Sequence, residues 1–315
     1  MILSVSKRTD IPAFYSQWFM NCIKRGSFCY RNPMNPAQVL RVPLSPKNVD
    51  CIVFWTKDAK NIMPYLSELD KMGYKYYFQF TITPYDKDIE NNIRNKKDII
   101  ETFKELSAKI GKEKIIYRYD PILITEEYSM DFHIKTFEDF ISRLAKYTES
   151  VVISFIDDYR KISSNMKSLK VKEISEADMI TIADNFSKIT KQHNLKLMTC
   201  AEKINLKQFD IEKSKCIDGD LIERIIGCSI THKNTKYDKQ RTACGCIQCI
   251  DMGNYNTCLH GCLYCYANVN KQKTKENFKL HNPQNEIMLG NISNEKVVDK
   301  KDTESFKKEQ TLFGW

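Results

Sequence analysis

Six short apolar runs, each rich in β-branched and aromatic residues, recur along the first 200 residues: ILSVS (2–6), CIVFWT (51–56), YKYYFQFTI (74–82), KIIYRY (114–119), VVISFI (151–156) and LKLMT (195–199). Runs of this length without polar alternation read as strands buried on both faces, the condition of a parallel sheet. Between them, apolar residues return at helical spacing. Ile11, Phe14, Tyr15, Trp18, Phe19, Cys22 and Ile23 share one face, as do Ile99, Ile100, Phe103, Leu106 and Ile110, and then Ile134, Phe137, Phe140, Ile141 and Leu144. Ser175 and Asp178 have the spacing of a capping box ahead of Met179, Ile182, Ala183, Phe186 and Ile189. Strands alternating with helices imply right-handed βαβ crossovers and an α/β fold. Six units are too few to close an eight-stranded barrel. They predict a partial (β/α)6 TIM-like barrel of parallel strands, with a doubly wound open sheet as the competing arrangement.

The pattern breaks in two places. Proline and asparagine between residues 26 and 50 predict a hairpin insertion. After about residue 272 the chain is rich in lysine and poor in large apolar residues, which predicts an extended or partly disordered tail. The domain plan is therefore a partial barrel over 1–227, a cysteine-rich segment over 228–271 and a lysine-rich tail over 272–315. In the closing EQTLFGW, Leu312, Phe313 and Trp315 are expected to pack back on the domain.

Hydrophobic residues at 42% and charged residues at 28% supply enough apolar mass for a large core and exclude a disordered or fibrous chain. No run approaches eighteen apolar residues and the N-terminus lacks a signal-like h-region, so a cytoplasmic protein without a membrane span is expected. The formal net charge of +9 fits an anionic partner such as nucleic acid. Of the 12 cysteines, all but Cys22, Cys29 and Cys51 follow residue 199. In a chain without a secretion signal, that crowding favours metal or cluster ligation over disulfides.

In parallel α/β folds chemistry gathers at the carboxyl ends of strands. Those ends carry Lys7 to Asp10, Thr56 and Lys57, Gln79 and Thr81, Arg118 and Asp120, Ser154 and Asp157, and Cys200 and Glu202. In RYDP and CAE a charge lies inside or just after an apolar strand, where burial without a partner is costly. Arg118, Asp120, Glu202 and Lys57 are accordingly the candidate catalytic residues. Thr56, Lys57, Gln79, Thr81, Ser154 and Tyr264 are the candidate cofactor contacts.

TCLHGCLYCYA places Cys258, Cys262 and Cys265 at C-x3-C-x2-C spacing, with Gly261 allowing a tight turn. Three thiolates on one loop can hold three corners of a [4Fe-4S] cube and leave the fourth iron open. Zinc is the alternative, with His260 as a sterically awkward fourth ligand. A second set is Cys200, Cys216, Cys244 and Cys246, with Cys249 as substitute. It is suited to an auxiliary iron-sulfur cluster or zinc, or to redox-active free thiols. Cys22 and Cys51 read as core residues.

The loop CLHGCLYCYA resembles the cluster loop of radical S-adenosylmethionine enzymes, and its HGCLYCYA wording is similar to the spore photoproduct lyase branch. From SVSKRTDIPAF through FWTK, RYDPI and CAE to YNTCLHGCLYCYA, the chain resembles a bacterial domain-of-unknown-function family that carries such a cysteine cluster at its C-terminus. The resemblance implies a [4Fe-4S] cluster on Cys258, Cys262 and Cys265, with S-adenosylmethionine as co-substrate. It also implies a reductant such as flavodoxin or ferredoxin, and reductive cleavage to a 5′-deoxyadenosyl radical. The substrate is not implied, and nucleic acid is one class that fits the basic charge. Two departures from the radical enzymes stand out. Their cluster loop follows the first strand, where this chain has KRTDIPAF, and their glycine-glycine-glutamate triplet is replaced by Thr56 and Lys57. A permuted arrangement is expected, in which the C-terminal loop returns to the same barrel mouth. The alternative from another class is a non-catalytic iron-sulfur or zinc protein for redox sensing, electron transfer or nucleic-acid binding.

Overall fold

The computed structural model describes residues 1–32, 35–157, 160–231, 245–292 and 295–308. Along the chain it forms β1 (Ile2–Val5), α1 (Ile11–Phe14), α2 (Ser16–Arg25), β2 (Ser27–Asn32), β3 (Asn35–Pro43), β4 (Cys51–Thr56), α3 (Leu66–Lys71), β5 (Tyr76–Thr81), α4 (Lys96–Ile110) and β6 (Ile115–Ile122). There follow α5 (Met130–Leu144), β7 (Ser150–Phe155), α6 (Ser163–Ser168), α7 (Glu176–Gln192), β8 (Lys196–Thr199), β9 (Glu212–Lys213), α8 (Gly219–Ile226), β10 (Cys249–Asp251), α9 (Lys271–Lys279) and β11 (Val297–Asp299). The helix ends carry the signals expected of them. Ser175 and Asp178 make the reciprocal capping box of α7, Ser129 caps α5, and Asn95 caps α4. The apolar face over residues 11–23 is divided between two helices instead of one continuous helix. Tyr15, at φ −131°, interrupts the helical backbone between them.

Eight strands form one sheet in the order β10-β1-β4-β5-β6-β7-β8-β9, and every neighbouring pair is parallel. From β1 to β9 the order follows the chain without the reversal that marks a doubly wound sheet. The sheet exceeds the six expected strands by β9 and β10. At two and three residues, these are too short to leave an apolar period in the sequence.

Alternation along the strands gives the sheet two unlike faces. Leu3 and Val5, Ile52 and Phe54, Phe78 and Phe80, Tyr117 and Tyr119, and Val151 and Ile153 pack in one continuous core with the apolar faces of α2, α4, α5 and α7. Phe137 of α5 stacks on Phe186 of α7 at a centroid distance of 3.7 Å, with Tyr119 edge-on to both. Each buried side chain of this size contributes about 1.5–3 kcal/mol by leaving water. The intervening residues Ile2, Cys51, Val53, Tyr77, Ile116 and Val152 face the other way. They pack with Ile217 and with Ile222 of α8 in a smaller cluster. Beyond it, toward the strand ends, that face turns polar.

β2 and β3 pair antiparallel as a hairpin beside the main sheet, and β11 adds to β3 in parallel. The lysine-rich segment is therefore not an extended tail. It forms α9, buries Ile287 and Met288, and is tied to the body where Trp18 Nε1 donates to Asn285 O at 3.0 Å and Phe306 N donates to Asp50 Oδ2 at 2.7 Å. Its apolar residues come in short groups such as Ile287 to Leu289, too brief against the surrounding lysine and asparagine to show in composition. Leu312, Phe313 and Trp315 lie outside the described residues, as does Cys244. Among the described residues no helix is long and apolar enough to cross a membrane.

Candidate functional site

Asp10 links three parts of the chain. Its Oδ1 accepts from Ala13 N at 2.9 Å, capping α1, and from Thr56 Oγ1 at 2.8 Å. Its Oδ2 accepts from Lys57 N at 2.7 Å and lies 2.8 Å from His260 Nε2 in the cysteine loop. His260, the awkward zinc ligand of the sequence, is thus engaged at one nitrogen by a carboxylate and packs edge-on against Phe14 at 4.6 Å. The loop that begins more than 240 residues later than β1 is in this way seated on the carboxyl ends of β1 and β4.

Further ties fix the loop. Tyr15 OH donates to Thr257 O at 2.6 Å, and Asn268 Oδ1 accepts from the backbone of Thr257 and Cys258 at 2.7 and 2.8 Å. Asn268 Nδ2 donates to Arg8 O at 3.1 Å and toward Cys265 Sγ at 3.5 Å. Across the loop, Leu263 N donates to Ile89 O at 3.0 Å, and Asn165 Nδ2 donates to Leu263 O at 2.8 Å. Gly261, at φ +72°, makes the turn between the first two cysteines. Cys258, Cys262 and Cys265 carry free thiols and are half-buried.

Glu90 is the residue that the sequence did not disclose. It is 1% exposed, and its carboxylate takes Lys57 Nζ at 2.8 Å, Thr83 Oγ1 at 2.7 Å, and close contacts from Lys96 and Tyr264. Burial opposes its ionisation, but Lys57 and Lys96 overcome that and hold the carboxyl down at about 2. It sits in a loop without periodicity, so no pattern marks it.

A cavity of about 300 Å³ opens at the strand ends on the polar face. Its wall includes Lys57, Thr81, Arg118, Asp120, Ser154, Cys200, Cys216 and Cys246 from the body, with Tyr264, Cys265 and Tyr266 from the loop. Lys7, one of the strand-end residues read from the sequence, and Trp55, which was not, also line it. Trp55 Nε1 is buried with no hydrogen-bond partner among the described residues, and Lys7 and Arg118 stack over its ring at 5.4 and 5.5 Å. Arg118 is 3% exposed. Its Nε donates to Asp120 Oδ2 at 3.1 Å, and its NH1 donates to Gln79 Oε1 at 3.1 Å and toward Cys216 Sγ at 3.3 Å. Ser154 closes the chain with a short contact to Asp120 Oδ1.

Not every candidate reaches the cavity wall. Thr56 is spent on Asp10 and on capping Asp58 N, and Gln79 Nε2 donates to Cys216 O at 3.0 Å behind Arg118. Glu202 Oε1 accepts from Phe155 N at 2.9 Å. Burial, with Asp157 and Asp120 nearby, pushes its carboxyl up to about 7. Cys258 and Cys262 lie behind Cys265, and burial pushes both thiols up. The charges of Asp10 on the first and Glu90 on the second add to this. The second thiol set meets at the cavity floor: Cys200 Sγ lies 3.2 Å from Cys216 Sγ, and Ile217 N donates toward Cys246 Sγ at 3.4 Å.

Residues 2–267 match a family model described as "Domain of unknown function (DUF1848)", a span that holds the eight-stranded sheet, the cavity and both cysteine sets. The chain belongs to this family. The family match ends before α9, so the packed lysine-rich segment lies outside what DUF1848 defines. No curated protein matches the chain. Among solved structures, a crystal structure of a candidate alpha-L-fucosidase from Bacteroides thetaiotaomicron VPI-5482 is 12% identical. It covers 57% of this chain and 84% of that chain at a TM-score of 0.24, a superposition too loose to bear on fold or activity.

Proposed function

We propose that this DUF1848 protein is a radical S-adenosylmethionine enzyme, built as a partial (β/α)6-type barrel whose mouth is closed by the cysteine loop of residues 228–271. The observation that carries the proposal is the position of that loop. It comes late in the chain, yet it is fastened by Asp10 and Glu90 to the strand ends, and its Cys265 and Tyr264 share one cavity with Arg118, Asp120 and Ser154. The donor set suits a [4Fe-4S] cluster. Three free thiols stand on one loop, and burial together with neighbouring carboxylates opposes ionisation of Cys258 and Cys262 until a cationic group sits among them. Once bound, the cluster supplies the electron that cleaves S-adenosylmethionine to methionine and a 5′-deoxyadenosyl radical.

The remaining work belongs to the chain. Lys57 would present an ammonium to the carboxylate of S-adenosylmethionine while Glu90 holds it in place. Trp55 offers its unpaired Nε1–H to an acceptor in the cavity, and Tyr264 walls the site from the loop side. Arg118 locks the Asp120 carboxylate toward Ser154, which keeps those polar groups ordered in a space of limited water access. Glu202, with its carboxyl raised to about 7, stands off the cavity wall and changes charge beside Asp120 near neutrality. A flavodoxin or ferredoxin would supply the reducing electron, in the cytoplasm. Nucleic acid is the proposed substrate class, supported by the charge of +9 and by the half-exposed Tyr255, over which Arg8 and Lys161 lie at 5.2 and 5.9 Å.

The test is anaerobic reconstitution, reduction with dithionite and assay for 5′-deoxyadenosine. Wild type is expected to form it, and a Cys258→Ala, Cys262→Ala, Cys265→Ala variant is expected to form none. A wild type that holds a cluster but never cleaves S-adenosylmethionine would replace this proposal with the electron-transfer alternative.

A further inference from the structure

Two thiols meet in the cavity wall apart from the cysteine loop. Cys200 directly follows β8, and Cys216 lies just beyond β9. Both are free, and their sulfurs are 3.2 Å apart. Two thiolates on one tetrahedral metal at about 2.3 Å stand roughly 3.8 Å from each other. The closer spacing is that of a thiol pair, not of two corners of the second metal centre that the cysteine count suggested. Backbone pairing sets the contact. Thr199 faces Lys213 across β8 and β9, and Ser214 N donates to Thr199 O at 2.7 Å, so the two segments run side by side up to the cysteines. Cys200 N donates to Ile153 O at 2.9 Å, while Cys216 O accepts from Tyr77 OH at 2.8 Å and from Gln79 Nε2 at 3.0 Å. Both main chains are thus anchored with the thiols against each other.

We propose that Cys200 and Cys216 are a redox-active pair that a hydroperoxide converts to a reversible disulfide in the wall of this cavity. The sulfurs need to approach by only about 1.2 Å to reach the bonded distance of about 2.05 Å. Cys200 is the half-buried member and Cys216 is 5% exposed, so the peroxide meets Cys200 first. The Cys200 sulfur attacks the distal peroxide oxygen, the O–O bond breaks, and the thiol proton leaves with the departing oxygen as water or an alcohol, giving a sulfenic acid. The Cys216 sulfur then attacks the Cys200 sulfur. An S–S bond forms, the S–O bond breaks, and the hydroxyl leaves as water with the Cys216 proton. The two thiols lose two electrons and the peroxide gains them. Exchange with a dithiol reverses the step. Cys246 also bonds to Cys216, but it is buried at 6% exposure and its sulfur already accepts from Ile217 N at 3.4 Å. Oxidation would take the Cys216 thiol from Arg118 NH1, now 3.3 Å away, and so reach the guanidinium that orders Asp120. None of this depends on a cluster in the cysteine loop.

The experiment treats the full-length, reduced chain with a small excess of hydrogen peroxide, alkylates the remaining thiols and maps tryptic peptides with and without dithiothreitol. Cleavage after lysine and arginine puts Cys200 on residues 197–203 and Cys216 on residues 216–224, with Cys246 on neither. The expected result is a link between those two peptides, with about two thiols lost per chain and regained with dithiothreitol. Cys216→Ser is expected to abolish the link and to leave a sulfenic acid on Cys200 that dimedone traps. The link is expected unchanged in the Cys258→Ala, Cys262→Ala, Cys265→Ala variant, which separates this pair from the fate of the cysteine loop. A link from Cys216 to Cys246 overturns the proposal, as does oxidation of Cys200 to a sulfinic acid without any link. Survival of both thiols while the loop cysteines oxidise also overturns it. Should Cys216→Ser fail to fold, the wild-type peptide map alone decides.

Discussion

The two faces of the sheet divide labour residue by residue. On β6, Tyr117 and Tyr119 are buried against the helices, while Arg118 and Asp120 between and beyond them reach the cavity. On β7, Ile153 belongs to the core and Ser154 to the site. One face therefore carries stability through volume and shape, and the other carries charge at a small energetic margin. Adjacent positions in one strand should answer to substitution in different currencies: melting for the first, chemistry for the second.

The largest effect is expected on the helix-backed face. Phe186→Ala removes one partner of the stacked pair with Phe137 and should cost about 3–5 kcal/mol in urea unfolding, while folded protein keeps its full iron content. If the iron falls in proportion to stability, the faces are not separable. Next is the pH dependence of the same face. His133 is fully buried between Tyr119 OH at 2.8 Å and Leu123 O at 2.9 Å, and burial lowers it from 6.5 to about 4. The unfolded chain binds this proton first, so the native state should lose up to about 3 kcal/mol as pH falls from 6.5 to 4, and nothing further from this group below 4. His133→Gln should flatten that slope in denaturation curves across the window.

On the cavity face the expected cost moves from folding to function. Arg118→Lys keeps the charge but loses the planar fork that spans Asp120, Gln79 and Cys216. The loss of charged hydrogen bonds predicts roughly tenfold to hundredfold slower 5′-deoxyadenosine formation, equivalent to about 1.5–3 kcal/mol, with a melting point close to wild type. A large fall in melting point with unchanged turnover would invert the comparison. Smallest is Ser154→Ala, which removes one contact to Asp120 and should cost about 1 kcal/mol or less in stability.

What the sequence disclosed follows the same division. The strands were legible because burial on both sides leaves unbroken apolar runs, and Arg118 was legible as a charge inside one. The fourth to eighth helices of the chain differ in this respect: α4, α5 and α7 repeat at helical spacing, whereas α6 and α8 are only 6 and 8 residues long and leave little period to read. Glu90 and the Asp10–His260 contact were not legible at all. They depend on pairing between distant segments, and neither hydrophobic period nor local spacing encodes a partner 250 residues away. Thr56 and Gln79 stood at the right strand ends, but their side chains turn to hydrogen bonds within the fold, a choice that residue type alone does not specify.

The pairing of β10 with β1 has a consequence for the order of events in the cell. The outer edge of the first strand to be synthesised waits for residues 249–251, and Asp10 waits for His260. During translation the nascent chain can pack its helices against β4 to β8, but both thiol groups remain incomplete until nearly all of it has emerged. Closing so long a loop is slow, though its entropic penalty grows only gently with length. Any metal offered early, on the function proposed above, would meet a half-built site, so loading would have to follow synthesis of nearly the whole chain.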